Sequence, residues 1–533
     1  MAQAKTKAAE KAARTQSTTK TAAKKPASPA KKAAATKAPT KPQSSAKPKK
    51  SVKNNDLKIL FCTSEAQPYI ASGGLADVAG ALPPALVANG VDCRVVLPLY
   101  GSMKQELRDT LTFVTSFEVN LSWRKQYCGI FTARHGGVTY YLIDNEYYFK
   151  RDALYGYMDD GERFAFFSKA VVDMVRHIDF IPDILHLNDW QTALCAVYLN
   201  LEYRGLEQYR DIKTLFTIHN IQYQGVYNNM TLGDVFGIDT KDERILEFDG
   251  NLNLMKAAIE LCDHVSTVSP TYAQEIMNPW FAHGLDCFLQ ARSFKLSGIL
   301  NGLDTDRFNP VTDPMIYENF DATSLENKEH NKQRLLDALP LPHCDNTPLI
   351  AIITRLVAHK GLDLVRYVFE DMVHMGNQFV ILGTGEHQYE EFFHTMQAKY
   401  PDRVRFIAGF LPDLAQKIYA GADLFLMPSK SEPCGLAQMI AARYGTIPIV
   451  RETGGLRDTI RDFGEGGNGF TFKTYNAHDM LGAVVRARDC YLNKEAWLAV
   501  QQNAMASDFT WGKSAKEYEA LYNGLQRGEP SNP

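Results

Sequence analysis

The chain has 533 residues, of which 45% are hydrophobic and 22% charged, enough for two or three domains with cores of their own. No apolar run approaches the roughly 20 residues of a membrane-spanning helix, and the N-terminus lacks a signal-peptide core, so we expect no membrane partner. The net charge is −3, and the nine cysteines are an odd number without a CxxC pair, which indicates reduced thiols and a cytoplasmic protein.

Charge is distributed unevenly along the chain. Residues 1–53 hold 14 Lys and one Arg against a single acid, a net charge of +14, so the remainder is strongly acidic. Residues 2–51 contain no large apolar side chain, and we therefore expect residues 1–55 to form a disordered, solvated tail. The alternatives are an arm that contacts nucleic acid or another polyanion, a tether to the acidic remainder of the chain, and a plastid transit peptide, although the tail is not Arg-rich.

The ordered chain is predicted to begin at Leu57. LKILFCTSE has the length and apolarity of a buried strand, and SGGLADVAGALPPAL continues it through a glycine turn into a helix. DCRVVLPLY predicts the next strand. Alternation of apolar and polar residues between Phe113 and Ile143 indicates hairpins inserted into this α/β series.

The same α/β pattern continues through the rest of the first half. It predicts, in order, a helix at Glu162–Arg176, strand–loop–helix in IPDILHLNDWQTALCAVYLNLEY, strand and loop in KTLFTIHNIQYQGVY, a helix at Asn251–Cys262, a strand at HVSTVS and a helix at PTYAQEI. SGILNGLDTDRFNP combines Gly, Asn, Asp and Pro, which predicts a loop. We place the end of a first domain, residues 56–310, in that loop.

A second α/β series follows a polar connection at residues 311–347. Short apolar runs alternate with helical patterns over residues 348–490, and Glu495–Leu525, within residues 491–533, is predicted to form closing helices. This alternation predicts an α/β fold with a Rossmann-like parallel sheet in each half.

The stretch ADLFLMPSKSEPCGLAQMIAARYG, residues 422–445, reads as strand, loop and helix. Glu432 then lies in the loop beyond the carboxyl end of a strand, where open α/β sheets bind ligands. The alternative is that Glu432 is only a helix-start carboxylate that complements the helix dipole.

Two matching glycine turns occur, one in each half. Residues 72–77, SGGLAD, and residues 453–458, TGGLRD, each follow a strand pattern and precede a helical one. Glycine turns at helix N-termini suit a diphosphate held between two lobes, and the repetition favours this interpretation over ordinary turn chemistry.

Cationic side chains flank the first loop of the second half. Arg355 offers phosphate a bidentate fork, and Lys360 offers a mobile point charge. Gly383 and Gly385 end the next predicted strand and are further candidates for substrate binding. GTGEHQ is not GxGxxG, and GxxxxGK[ST] is absent, so neither dinucleotide fingerprint nor P-loop is predicted.

Taken together, seven motifs resemble the bacterial glycogen synthases and plant starch synthases, two-domain enzymes of the GT-B type. The resemblance covers about Leu57 to Leu525 and rests on SGGLADVAGALP, HLNDWQTA, THNIQYQGVY, GILNGLDTDRFNP, TRLVAHKGLDL, SEPCGLAQMIAARYG and TGGLRDT, in that order. It implies two lobes that face a cleft. It also implies retaining transfer of glucose from a nucleoside diphosphate glucose, with ADP-glucose expected, to the non-reducing 4-hydroxyl of an α-1,4-glucan.

The resemblance implies roles for individual residues. Arg355 and Lys360 match the basic pair on the departing diphosphate, and Glu432 matches the carboxylate that holds the donor glucose. Asp159 matches an acid on the acceptor side, and His186 is included among the catalytic candidates. Matched residues that line the donor site or the cleft are Ser72, Gly73, Gly74, Asp77, Asn188, His219, Asn301, Thr453, Gly454 and Gly455. The alternative for the histidines is a core position satisfied by hydrogen bonds.

Three positions depart from the pattern of the relatives. Ala71 stands where many have Lys before the glycine turn, which removes one expected donor-phosphate contact. Gln191 stands where His is frequent. Ile440 replaces the second Glu that many retaining GT-B enzymes carry eight residues after the first.

No cofactor or metal is expected. Asp304-Thr305-Asp306 spells DxD, but it lies in a predicted turn, without a Cys/His cluster. Besides the glucosyltransferase, two functions stay open: a related GT-B enzyme such as a phosphorylase or a disaccharide-forming transferase, and a non-catalytic protein associated with polysaccharide or nucleic acid.

Overall fold

The computed structural model describes residues 57–528. The prediction of a disordered tail at residues 1–55 lies outside the described residues. All nine cysteines lie within them and are free thiols.

The strands form two large sheets and one small one. Their bounds are β1 Lys58–Cys62, β2 Asp92–Pro98, β3 Thr112–Leu121, β4 Arg124–His135, β5 Val138–Asp144, β6 Ile184–Asn188, β7 Lys213–Ile218, β8 Val226–Tyr227, β9 Glu247–Phe248, β10 Asn251–Asn253, β11 His264–Thr267, β12 Leu296–Gly298, β13 Leu349–Ile353, β14 Gln378–Leu382, β15 Val404–Ile407, β16 Leu424–Met427, β17 Ile447–Arg451 and β18 Phe470–Phe472.

Helices alternate with these strands along the chain. Their bounds are α1 Gly74–Ala88, α2 Gln105–Arg108, α3 Glu146–Phe149, α4 Asp160–Met174, α5 Ala193–Tyr198, α6 Thr231–Asp234, α7 Glu243–Leu246, α8 Leu254–Leu261, α9 Pro270–Glu275, α10 Asp286–Gln290, α11 Leu325–Ala338, α12 Leu362–His374, α13 His387–Lys399, α14 Pro412–Gly421, α15 Ala437–Arg443, α16 Gly454–Thr459, α17 Ala477–Leu492, α18 Lys494–Met505 and α19 Trp511–Arg527.

The first lobe is built on a nine-stranded sheet in the order β12-β11-β7-β6-β1-β2-β5-β4-β3. The strands from β12 to β5 in that order pair in parallel, whereas β4 and β3 are antiparallel, as the predicted hairpins require. A small antiparallel sheet, β8-β10-β9, adjoins it in sequence.

The second lobe is built on a six-stranded, entirely parallel sheet in the order β15-β14-β13-β16-β17-β18. Its two central strands, β13 and β16, consist of apolar residues that are buried except at the last position of each, as expected for strands covered by helices on both faces. A mostly parallel sheet followed along the chain by an entirely parallel one confirms the predicted α/β class.

Three predicted elements differ from the structure. The predicted helix Asn251–Cys262 begins only at Leu254, because Asn253 Oδ1 caps it by accepting from Lys256 N at 2.9 Å, and the preceding residues form β10. The predicted loop at SGILNGLDTDRFNP starts with β12, which pairs with β11. The connection at residues 311–347 contains α11, where only two buried leucines mark the helix face.

The C-terminal helices divide between the lobes. α18 packs on α15 and α17 of the second lobe, and α19 returns to pack against α1 of the first. Trp511, Tyr518 and Tyr522 of α19 belong to the first lobe's core. No helix among residues 57–528 has both the length and the apolarity to cross a membrane.

Candidate active site

Glu432 lies in the loop after β16, beyond the carboxyl end of that strand, as predicted. Its side chain is largely buried, and Oε2 accepts from Lys360 Nζ at 2.6 Å and from Ser429 Oγ at 3.1 Å. The next helix starts only at Ala437. The alternative of a carboxylate in the first helical turn is therefore not what the structure shows.

Lys360 reaches Glu432 because the backbone after it approaches the β16 loop closely. Lys360 ends the 3₁₀ turn Ala358–Lys360, and Gly361 follows with φ +75°. A Cβ at Gly361 would lie 2.0 Å from the carbonyl oxygen of Pro428. Only glycine allows this contact, which brings the Lys360 turn against the loop that carries Glu432.

Arg355 is exposed just beyond the carboxyl end of β13, and no hydrogen bond or ion pair holds its side chain within residues 57–528. Half-buried His359 lies close to it: burial lowers the pKa of His359, and the charges of Lys360 and Arg355 lower it further. The structure therefore places both predicted cations within electrostatic range of His359, with Lys360 also bonded to Glu432. Such a cluster can hold an anion.

The first glycine turn is exposed at the start of α1, with open space beside Gly73 and Gly74. Its amides already have an acceptor, because the buried carboxylate of Glu65 accepts from the backbone N–H of Ser72 and of Gly73. Burial raises the pKa of Glu65, and these amides oppose the rise. Two amides of the turn, those of Ser72 and Gly73, are therefore occupied by a carboxylate.

Asp77 projects from the first turn of α1 toward Arg307, whose Nη1 lies 3.4 Å from Asp77 Oδ1. Burial raises the pKa of Asp77, and the Arg307 guanidinium opposes the rise. Asp159 lies at the start of α4, and its Oδ2 accepts from Arg151 Nη2 at 2.8 Å. Asp77 and Asp159, the two predicted acids of the first lobe, therefore each have an arginine partner.

The second glycine turn packs against the Glu432 loop and against the first lobe. Gly455 N donates to the carbonyl oxygen of Glu432 at 3.1 Å, and Gly454 N donates to Glu275 Oε1 at 3.1 Å. Thr453 Oγ1 donates to the same Glu275 oxygen at 2.8 Å. The structure thus places this turn beside Glu432, and the amides of both its glycines already donate to acceptors of the protein.

His186 is not brought to the cleft. It is fully buried in β6, where Nδ1 lies 2.7 Å from Tyr522 Oη and Nε2 lies 2.7 Å from Thr217 Oγ1. Burial holds the pKa of His186 well below its usual value. A ring with both nitrogens engaged and no exposed atom cannot reach a substrate, so the structure contradicts the catalytic assignment and gives His186 a core position.

Three other predicted residues lie at the carboxyl edge of the first sheet. His219 Nε2 lies 2.9 Å from Asn188 Oδ1, and Asn188 Nδ2 donates to the carbonyl oxygen of Cys62 at 2.9 Å. Burial lowers the pKa of His219 to about 3, so it is a neutral imidazole at neutral pH. Buried Asn301 faces Cys434 of the second lobe, and its Oδ1 has no hydrogen-bond partner within residues 57–528.

Gly383 and Gly385 have a packing role. A Cβ at either glycine would lie about 2 Å from a carbonyl oxygen, that of Thr354 at 1.9 Å and that of Leu356 at 2.2 Å. Their amides donate to the carbonyl oxygen of Ile407 and to Glu390 Oε1. These glycines keep the loop against the backbone around Arg355, and neither amide is free for a substrate.

The positions that depart from the family pattern have different environments. Ala71 is exposed beside the first glycine turn, and Ile440 is buried in α15. Gln191 is buried, and its Oε1 has no hydrogen-bond partner in the part of the chain that the structure describes. Within the DxD sequence, Asp304 Oδ1 caps its own turn by accepting from the amides of Asp306 and Arg307. No three His, Cys, Asp or Glu side chains gather as a metal site would require anywhere in residues 57–528.

Sequence reasoning missed two glutamates that contact the glycine turns. Glu65 closes the first predicted strand segment, LKILFCTSE, at the kind of strand end that led us to Glu432, so a signal was present. Glu275 is the last but one residue of the predicted helix PTYAQEI and carries no such signal, because its partner turn lies 178 residues away along the chain.

Comparison with known proteins defines the class. Residues 58–291 match a family model described as the starch synthase catalytic domain, and residues 340–496 match one described as glycosyl transferases group 1. These two matches identify the chain as a glycosyltransferase. Its Lys360–Glu432 pair lies beyond the carboxyl ends of the central strands of the second sheet.

Relatives with high identity narrow this class. A glycogen synthase of Anoxybacillus flavithermus is 49% identical over 477 residues, 89% of this chain and 99% of the relative. A glycogen synthase of Bacillus anthracis is 49% identical over 474 residues, 88% of this chain and 100% of the relative. The chain belongs to the glycogen synthase and starch synthase family.

Solved structures agree with this family. The catalytic domain of starch synthase IV from Arabidopsis thaliana, bound to ADP and acarbose, superposes with a TM-score of 0.82 at 35% identity, covering 88% of this chain and 99% of that one. Sucrose-phosphate synthase from Thermosynechococcus elongatus, at 17% identity and a TM-score of 0.55, shares the fold over 89% of this chain and all of its own. The predicted GT-B fold is confirmed.

Proposed function

We propose that the protein transfers glucose from ADP-glucose to the non-reducing 4-hydroxyl of an α-1,4-glucan, with retention at the anomeric carbon. The observation that carries the proposal is the Glu432 carboxylate, fixed by Lys360 and Ser429 beyond a strand end in a member of this family. The relatives' names and the ADP and acarbose in the Arabidopsis structure support the donor and acceptor classes.

In this proposal the second lobe binds the nucleotide sugar. Arg355 and Lys360 stabilise the diphosphate as negative charge grows on it, and Glu432 orients hydroxyls of the donor glucose. The exposed guanidinium of Arg355 is available for a bidentate contact with phosphate. The second glycine turn, Thr453–Gly455, holds the backbone of Glu432, because Gly455 N donates to the Glu432 carbonyl oxygen.

The first lobe completes the cleft. Ser72, Gly73 and Gly74 give the donor a close approach to the backbone, with Asp77 beside them, and Asp159 faces the acceptor. Asn188, His219 and Asn301 line the floor at the carboxyl edge of the first sheet. We assign the acceptor side to residues 56–310 and the nucleotide-sugar side to 348–490. In this division residues 311–347 are the connection and 491–533 the closing segment.

We further propose a front-face substitution. The bond between the anomeric carbon and the diphosphate oxygen breaks, the acceptor O4 bonds to the same face of that carbon, and the departing phosphate oxygen takes the O4 proton. The candidate residues include no two carboxylates paired as in retaining glycosidases. Stabilisation of the leaving diphosphate is then the main contribution of the protein.

A transfer assay tests the proposal. Purified full-length protein is given glycogen primer with radiolabelled ADP-glucose or UDP-glucose, and label in polymer is counted. We expect incorporation from ADP-glucose to exceed that from UDP-glucose, and an exo-α-1,4-glucosidase to release the label. No transfer from either donor, or phosphate-dependent glycogen cleavage instead, would reject the proposal in favour of a non-catalytic protein or a phosphorylase. Ala71 makes the donor comparison informative, since one expected phosphate contact is missing.

The basic tail supports a second, separate contact. With 14 Lys and one Arg against one acid in residues 1–53, we propose that it binds polyanions electrostatically. Full-length protein should bind duplex DNA at 50 mM salt and lose most of that binding at 200 mM. A variant without residues 1–53 should not bind at either concentration, while its glucose transfer is unchanged. Equal DNA binding by both forms would contradict this contact.

A further inference from the structure

Helix α9 of the first lobe and helix α16 of the second exchange acidic contacts. Glu275 Oε1, at the end of α9, accepts from Thr453 Oγ1 at 2.8 Å and from Gly454 N at 3.1 Å. In the other direction, the Asp458 carboxylate accepts from Thr271 N at 2.9 Å and from Thr271 Oγ1 at 2.6 Å. Each helix thus receives a carboxylate at its N-terminal end from the other lobe.

The glycine turn that Glu275 contacts, at the start of α16, is bonded to the loop that carries Glu432. Gly455 N donates to the carbonyl oxygens of Glu432 at 3.1 Å and of Pro433 at 3.2 Å. Gly454 has φ +44°, and a Cβ there would lie 2.0 Å from the Glu432 carbonyl oxygen. The turn that Glu275 holds is therefore in contact with the backbone of Glu432.

The buried side chain of Arg451 holds the beginning of the same loop and interacts electrostatically with Glu275. Arg451 Nε donates to the carbonyl oxygen of Ser429 at 2.9 Å, and its Nη2 donates to that of Lys430. Burial lowers the pKa of Arg451, and the charge of Glu275 opposes this. Glu275 is therefore bonded to the glycine turn after Glu432 and lies within electrostatic range of the guanidinium that holds the residues before it.

We propose that Glu275 is a positioning residue, which couples docking of the first lobe to the placement of Glu432. The inference rests on the proposed glucosyl transfer. When the lobes dock, the Glu275 carboxylate fixes Thr453 and Gly454 and compensates the charge of Arg451, and the Glu432 loop is then held at both ends. When the lobes part, the turn and Arg451 lose this carboxylate together. Glu432 is thus best ordered in the docked state of the lobes, which is the state that encloses both substrates.

Three variants test the coupling in the full-length protein. Glu275→Ala removes every contact, and Glu275→Gln retains an acceptor oxygen for Thr453 and Gly454 without the charge. Thr271→Val is the matched control, because it removes a hydroxyl bond between the same two helices at the end away from Glu432. The measurements are kcat, the KM for ADP-glucose, the ratio of ADP-glucose hydrolysis to glucose transfer, and the melting temperature.

We expect Glu275→Ala to lower kcat about 10- to 100-fold, since small misplacements of reacting groups have effects of that size. Its hydrolysis-to-transfer ratio should rise and its donor KM should change much less, because Arg355 and Lys360 are untouched. Glu275→Gln should recover most of the loss in kcat. Thr271→Val should lower the melting temperature without altering the hydrolysis ratio.

Two results would overturn the inference: equal effects of Glu275→Ala and Thr271→Val on the hydrolysis ratio, or an unchanged kcat in Glu275→Ala. If Glu275→Ala does not fold, Thr453→Val takes its place, and it should lower kcat and raise the hydrolysis ratio. An unchanged ratio in Thr453→Val would equally reject the coupling. Absence of glucose transfer by the wild type would refute the proposed function instead, so the two failures are distinguishable.

Discussion

Lys360 Nζ lies 2.6 Å from Glu432 Oε2, although 72 residues separate them along the chain. Their side chains are only 16% and 10% exposed, so the pair is largely withdrawn from water. Removing one partner of such a pair leaves an uncompensated charge, which typically costs 3–5 kcal/mol, whereas replacing both is often neutral. The pair therefore affects both stability and activity, and mutation can separate the two effects.

Lys360→Met should lower the free energy of unfolding by about 3 kcal/mol, toward the smaller end of that range because the pair is not fully buried. Adding Glu432→Gln should restore most of this stability, since no unpaired carboxylate remains. Both variants should be inactive. Urea denaturation and the glucose-transfer assay measure the two properties. A double variant as unstable as Lys360→Met would show that the ion pair is not the source of the loss.

Arg355→Ala should lower kcat about 10²- to 10³-fold, the effect of removing one preorganised donor from a developing anion. The KM for ADP-glucose should change little, because charge on the diphosphate grows in the transition state. Arg461→Ala, a change at an exposed arginine of the same lobe, is the control and should leave kcat and the KM for ADP-glucose unchanged. An unchanged kcat in Arg355→Ala would remove Arg355 from the mechanism.

Glucose transfer should persist in EDTA. The cations that we assign to the leaving diphosphate are Arg355 and Lys360, and Asp304 of the DxD sequence already accepts from two backbone amides. Initial rates with and without chelator, and after addition of Mn²⁺, are the measurement. Loss of activity in EDTA that Mn²⁺ restores would contradict metal independence.

His186→Phe should destabilise the protein without slowing the folded enzyme. The substitution leaves the Tyr522 hydroxyl without its partner, which costs about 1–3 kcal/mol for that unsatisfied group, whereas Thr217 Oγ1 keeps its bond to Ser266 Oγ at 2.6 Å. His219→Phe is the matched comparison, because His219 lies at the sheet edge that we assign to the cleft, and it should lower kcat. A kcat for His186→Phe reduced as much as that for His219→Phe would restore a catalytic role to His186.

The local pattern predicted the α/β class and the position of Glu432, because strand–loop–helix signals are contained within short windows. The contact between Lys360 and Glu432 could not be predicted in this way. It requires β13 and β16 to be neighbours in the sheet, and strand order depends on long-range packing. The same limit applies to Glu275, whose partners belong to the other lobe.

His186 shows a different limit. The family resemblance implied a residue at the cleft, and Asn188, two residues on, does lie at the sheet edge. The face of β6 that carries His186 is covered by Tyr522 of α19, which returns from the C-terminus. Which helix covers which face of a sheet is decided by tertiary packing, so no spacing in the sequence distinguishes a buried histidine from a cleft histidine here.

The stability of the second lobe should depend on pH through Lys328 of α11. Its buried ammonium donates to the carbonyl oxygen of Ala420 at 2.9 Å and to Thr446 Oγ1 at 2.7 Å, and burial lowers its pKa to about 7, with Asp423 opposing. An unfolded lysine holds its proton until about pH 10.4. Between these values the unfolded chain binds more protons, so this residue makes stability rise with pH, by up to about 1.4 kcal/mol per unit.

Urea unfolding at pH 7.5, 8.5 and 9.5 should therefore show a steeper rise in stability for the wild type than for Lys328→Met. The change Lys494→Met, at an exposed lysine, should keep the wild-type slope. Identical slopes in all three proteins would mean that Lys328 stays protonated in the folded state.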